Sequence, residues 1–274
     1  MGVSRIEARF ADLERKGLAA FVPYVVAGDP DPDTSWRILE ALPAAGADLI
    51  ELGLPFSDPM ADGPAVQRGA SRALAAGADT AGVLALARRF RDADAATPII
   101  LMGYYNPVLT FGLDAFASAA AAAGVDGLIM VDVPPEEADP LADALEAHDL
   151  ALIRLATPTT DEARMAIVAR RVRGFVYFVS VTGVTGGKEA DAGAIAAQVR
   201  RVREVSGLPV AVGFGVRTSE RAAEVARIAD ATVVGSALVD EISTALALNR
   251  DPAAKVLDRA AAMAQAVHSA RARG

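Results

Sequence analysis

One pattern recurs eight times along the chain. A short apolar run rich in Val, Ile and Leu is followed by Gly, Pro or Asp, and then by an Ala-rich stretch. The runs are AAFVPYVVA (19–27), DLIELG (48–53), PIILMG (98–103), DGLIMVDVP (126–134), LALIRLA (150–156), GFVYFVS (174–180), LPVAVG (208–213) and DATVVGS (230–236). They alternate little between apolar and polar residues, as strands buried on both faces do in a parallel sheet. Between them, apolar residues recur at helical spacing over 33–45, 80–94, 114–123, 135–148, 160–171, 192–205 and 218–227. Two more helical segments, about 236–248 and 252–272, close the chain.

Eight strands alternating with helices predict an α/β protein, a closed (β/α)8 TIM barrel forming a single domain over 1–274. An open doubly wound sheet is the competing arrangement. The strand count favours closure, and no G-x-G-x-x-G follows the first strand. A helix over about 4–16 precedes the first strand, and additional helices are expected after strands two and eight. The 65–97 segment is long for one helix, which places one of them there.

The net charge of -8 argues against a broad basic surface for nucleic acid or an anionic membrane. A phosphorylated small molecule stays open, because helix N-termini bind phosphate through backbone N–H groups without net positive charge. The absence of cysteine excludes disulfides, thiolate nucleophiles and Cys-based metal sites, and fits a reducing compartment. Charges run throughout MGVSRIEARFADLERKG, so no secretory signal is read there. The uncharged stretch 95–113 is broken by Pro98, Gly103, Asn106, Pro107 and Gly112 and reads as a buried strand plus a loop, not a membrane span. A cytoplasmic location is the expectation.

In a barrel of this kind the active site lies at the C-terminal ends of the strands. That filter selects Glu51 near the end of strand two, Asp62 in the loop after it, Tyr24 in strand one and Tyr177 in strand six. Asp29 and Asp132 are cases like Asp62, each readable as no more than a helix cap or a loop holder. Glu51 has two readings of equal weight. It is either a structural carboxylate paired with a core arginine, or a general acid/base whose pKa is raised by burial. Asp62, taken alone in ADGP, favours the turn reading.

Glycines cluster at the ends of the last strands, in GVTGG (183–187), GFG (213–215) and GSA (235–237). Glycine there lets the backbone approach an anion, and Ser236 adds a hydroxyl at a helix start. The only lysines are Lys16, Lys188 and Lys255, none in a strand, which argues against a Schiff-base aldolase. The only histidines, His148 and His268, fall near helix ends and are expected at the surface, so no His-rich metal site is expected. Carboxylate acid/base chemistry on a phosphorylated substrate remains.

ELGLPFSDPMADGP (51–64), with FVPYVVAGDP before it and NPVLTFG, VDVPPEE, GVTGG and GFGV after it, resembles the tryptophan synthase alpha subunit family. The likeness runs from about residue 5 to residue 248, and the ELG-x-PFSDP-x-ADGP stretch is its most specific part. The resemblance implies retro-aldol cleavage of indole-3-glycerol phosphate to indole and glyceraldehyde 3-phosphate, without metal or cofactor. It assigns Glu51 the proton transfers and Asp62 the indole N–H. It places Tyr24 (often Phe in the family), Ile100, Met102, Leu128 and Tyr177 around the indole. Gly186, Gly213, Gly215, Gly235 and Ser236 match the phosphate site. Thr185 falls on a closing lid, and Pro55 and Asp58 on the loop that faces a beta subunit. That partner would complete an α2β2 assembly, carry pyridoxal phosphate and receive the indole internally. The alternatives are a stand-alone indole-3-glycerol phosphate lyase and a non-catalytic regulatory subunit of a partner synthase.

Overall fold

The computed structural model describes residues 2–180, 192–213 and 215–271. Helix α1 (Gly2–Lys16) leads into β1 (Ala20–Val26), α2 (Pro32–Ala41) and β2 (Ile50–Gly53). Two helices follow, α3 (Pro64–Ala75) and α4 (Thr80–Ala93), then β3 (Ile99–Gly103). A short α5 (Tyr105–Phe111), which the sequence pattern did not reveal, precedes α6 (Leu113–Ala122) and β4 (Gly127–Met130). A 3-10 turn at Pro135–Glu137 opens into α7 (Asp139–Ala147). Then come β5 (Ala151–Ile153), β6 (Leu155–Ala156), α8 (Glu162–Ala169) and β7 (Val176–Val179). The chain ends with α9 (Ala192–Ser206), β8 (Val210–Gly213), α10 (Ser219–Ile228), β9 (Ala231–Val234), α11 (Ser236–Ala247) and α12 (Pro252–Ser269).

All strand pairs are parallel, in the order β5-β4-β3-β2-β1-β9-β8-β7-β6. The two edge strands, β5 and β6, are consecutive in the chain and separated only by Arg154. They are halves of one strand. Arg173 N donates to Leu152 O at 3.2 Å and Tyr177 N donates to Arg154 O at 3.0 Å, which closes the sheet across that seam. The expected eight-stranded barrel is therefore present as nine segments.

Strand alternation sorts the core into two sets. Ala20, Val22, Leu49, Ile100, Ile129, Ile153, Tyr177, Ala211 and Val233 pack together inside the barrel. Phe21, Val25, Ile50, Leu52, Leu101, Leu128, Phe178 and Val212 pack outward against the helices. Helix α1 joins the inner set through Val3, Ile6, Phe10 and Leu13, and so plugs the barrel at the strand N-termini. Each such side chain contributes about 1.5–3 kcal/mol on burial.

The same end carries three carboxylate staples. Asp48 Oδ2 accepts from Phe21 N at 2.8 Å, Asp126 Oδ2 from Ile99 N at 2.8 Å and Asp230 Oδ2 from Val210 N at 2.8 Å. Each aspartate stands just before a strand and bonds to the strand beside it. Each also has a basic partner. Asp126 is bonded by Arg5 and, at 2.9 Å, by Arg91; Asp230 pairs with Arg203 at 2.9 Å. His268 Nε2 lies 2.7 Å from Asp48 Oδ2, with Arg9 at 3.6 Å. His268 is thus half-buried and tied to β2, contrary to the expected surface position; His148 is half-buried too, 3.3 Å from Asp114.

Candidate active site

At the opposite end, β2 carries Glu51 inward, between the outward Ile50 and Leu52. Its neighbours in register are Tyr24 on β1 and Ile100 on β3. Glu51 is 1% exposed, and neither carboxylate oxygen has a hydrogen-bond partner among the described residues. Among the described residues no arginine pairs with it, which disfavours the structural reading left open above. Burial alone pushes its pKa from 4.5 to about 8. Such a carboxyl is protonated at neutral pH and can give a proton; once ionised, it is a stronger base than an ordinary carboxylate.

Two tyrosines flank it. Tyr24 and Tyr177 are both buried, and burial above all, with Asp62 and then Glu51 near Tyr24 and Glu51 near Tyr177, drives their pKa values well above the phenol range. Both remain neutral phenols. Each hydroxyl lies over a glycine that ends the adjacent strand. A β-carbon on Gly53 would come 2.3 Å from Tyr24 Oη, and one on Gly213 would come 1.9 Å from Tyr177 Oη. Gly213 thus has a steric reason of its own beside any approach to phosphate.

Asp62 sits in the loop between β2 and α3. The loop is pinned from outside by Gln67, whose amide donates to Asp62 O at 2.9 Å. From inside it is held by Tyr104, buried just past β3, whose hydroxyl accepts from Ala61 N at 2.9 Å and bonds the Asp62 carboxylate. Burial raises the Asp62 pKa, and the Tyr104 hydroxyl opposes that rise. Phe56 stacks on Tyr104 with ring centroids 5.3 Å apart. Tyr104 was missed in the sequence, although its place directly after a strand end was a usable signal.

Ile100 and Met102 face the barrel interior as expected. Leu128 does not. It packs with the outer cluster against the helices, and alternation gives the inward position to Ile129. Asp132, expected to end the fourth strand, lies beyond it, exposed, and accepts from Tyr105 N at 2.9 Å. Asp29 is buried and held by Arg72 through bonds of 2.7 and 2.8 Å, a structural pair.

Beside Tyr24, Gly235 caps α11 without any side-chain bond, and Ser236 is its first residue. A helix start of this kind leaves backbone N–H groups for an anion. Gly215 adopts φ +76°, in the left-handed region that glycine favours. Pro55 is half-buried and Asp58 exposed, its carboxylate accepting from Ser57 Oγ at 2.6 Å. Thr185 and Gly186 lie outside the described residues.

Comparison with known proteins agrees with this arrangement. The family model described as tryptophan synthase alpha chain matches residues 10–268. The tryptophan synthase alpha chain of Phenylobacterium zucineum is 65% identical over 271 residues, covering 99% of this chain and 98% of the relative. That of Caulobacter vibrioides is 62% identical with the same coverage. The crystal structure of tryptophan synthase subunit alpha from Legionella pneumophila superposes with a TM-score of 0.90 at 41% identity, covering 96% of this chain and 98% of that one. With a barrel of the same shape and a match over nearly its whole length, this chain belongs to the tryptophan synthase alpha chain family.

Proposed function

We propose that the chain cleaves indole-3-glycerol phosphate to indole and D-glyceraldehyde 3-phosphate, with Glu51 and Asp62 as its catalytic residues and without metal or cofactor. The observation that carries this is Glu51, a carboxyl buried in β2, without a hydrogen-bond partner among the described residues and raised to about pKa 8. Protonated Glu51 gives its proton to indole C3. Positive charge then develops on the ring, and ionised Asp62, accepting from the indole N–H, stabilises it. The Glu51 carboxylate next removes the proton from the glycerol hydroxyl beside the breaking bond. The C–C electron pair returns to the ring, the hydroxyl carbon becomes the aldehyde, and Glu51 ends protonated as it began. One group with a pKa near neutrality serves both steps.

Tyr24, Ile100, Met102, Ile129 and Tyr177 form the wall for the indole ring in this reading. The α11 N-terminus with Gly235 and Ser236, together with Gly213 and Gly215, receives the phosphate. Indole passes to a beta subunit, which would carry the pyridoxal phosphate, in an α2β2 assembly. Support for a partner at this mouth comes from exposed apolar side chains on adjacent loops: Met60 after β2, and Leu109 and Phe111 on α5 after β3. No helix among the described residues is long and apolar enough to cross a membrane; a cytoplasmic site is our reading.

The test is release of glyceraldehyde 3-phosphate from indole-3-glycerol phosphate by the purified chain, alone and with a beta subunit. Slow release alone and strong stimulation by the partner are expected. Fast release indifferent to the partner would overturn the assembly and favour a stand-alone lyase. No release in either condition would overturn the activity.

A further inference from the structure

The inner face of β2 carries Glu51 and then Gly53, two residues on. Gly53 contributes no side chain, and its place in the wall is filled from β1 by the Tyr24 phenol. A β-carbon at Gly53 would lie 2.3 Å from Tyr24 Oη and 2.8 Å from Cζ, so no other residue fits there beside this tyrosine. The base of the same ring meets Gly235, the residue after β9, where a β-carbon would lie 3.2 Å from Cδ1. Tyr24 is held between two glycines, with Val26, Val66 and Met102 in its cluster. Its hydroxyl takes up the room that a side chain at Gly53 would need, on the same face of β2 as Glu51.

Taking the indole reading of this site as its basis, we infer that the Tyr24 hydroxyl is a specificity-determining group that sets the size limit of the aromatic pocket. It excludes substrates bearing an added group on the ring edge that faces Gly53. Replacing tyrosine by phenylalanine removes one heavy atom while the ring keeps its packing against Gly235. The space released is enough for a small substituent on the ligand. One methylene in a tight apolar pocket changes selectivity by roughly 10–200-fold.

The experiment compares wild type with Tyr24→Phe on indole-3-glycerol phosphate and its 4-, 5-, 6- and 7-methyl derivatives. The readout is kcat/KM for each methylated substrate relative to the unsubstituted one. A relative gain of about 10-fold for at least one ring position is expected in the variant. Dissociation constants of indole and the four methylindoles, measured by calorimetry on both proteins, give the same ratio without turnover. If wild type fails to cleave any substrate, the proposed activity falls and the binding ratios still decide the pocket limit. If no ring position gains more than about twofold in binding or turnover, the inference is overturned. A change that lowers every substrate alike would also overturn it, since loss of structure does not choose between ring positions.

Discussion

Replacing Glu51 by glutamine should separate the chemical use of the carboxyl from its cost to the fold. Glutamine resembles the protonated acid in shape and cannot ionise. In the folded protein the Glu51 pKa is about 8, against 4.5 for the free group. The folded state therefore holds its proton more tightly than the unfolded one, so stability is lost as pH rises between those two values. The full difference is about 3.5 units, or ~5 kcal/mol at 1.36 kcal/mol per unit, and it is present above the folded value. Between about pH 5 and pH 9 the linkage relation gives a loss of about 4 kcal/mol that the Glu51→Gln protein escapes. Urea titrations of both proteins at these two pH values, with equal m-values, measure it directly. The variant should gain on wild type by that amount at the alkaline end while turnover falls by roughly 10²–10⁴-fold. Stability curves that stay parallel to within about 1 kcal/mol across the range would refute the buried, unpaired carboxyl. Near wild-type turnover in a folded variant would refute its role as acid and base.

Further expectations concern the groups around it. Asp62→Asn should lower turnover by roughly 10²–10³-fold and leave affinity for glycerol phosphate nearly unchanged, as read by steady-state kinetics and calorimetry; a large loss of glycerol phosphate affinity would contradict the assignment. Tyr104→Phe removes the bond that holds the Asp62 pKa down, so the acidic limb of the kcat–pH profile should move to higher pH. An unmoved limb would show that Tyr104 only packs. Asp126→Asn leaves Arg5 and Arg91 without their anion at the barrel floor, and should cost about 3–5 kcal/mol in urea unfolding. A loss under about 1 kcal/mol would mean that the backbone bond, not the charge, matters there.

The barrel was legible because parallel strands buried on both faces leave uninterrupted apolar runs, and eight such runs have few arrangements available. The same property hides which residues face inward. GLIM offers an apolar side chain for either face, so Leu128 and Ile129 could not be told apart until the register was known. Glu51 could be placed because a carboxylate breaks its run, yet its lack of a partner became visible only in three dimensions. The seam at Arg154, the 3-10 turn after β4 and the pairing of His268 with Asp48 across the chain depend on long-range packing that local periodicity does not encode. Tyr104 was legible in principle, since it opens a tyrosine pair directly after a strand end, where active sites of such barrels lie.

The three aspartate staples have a consequence for how the protein can be altered. Each fixes the offset between neighbouring strands at the floor, using charge that is already met by Arg91, Arg203 or Arg9. The carboxylates that bond strand to strand therefore sit at the floor, whereas the rim is joined by backbone bonds such as Leu54 N to Met102 O at 2.8 Å. Loops at the rim can be exchanged, lengthened or grafted to recruit other substrates while the floor keeps the frame in alignment. An engineer, or natural drift, has freedom on one face of this barrel and very little on the other.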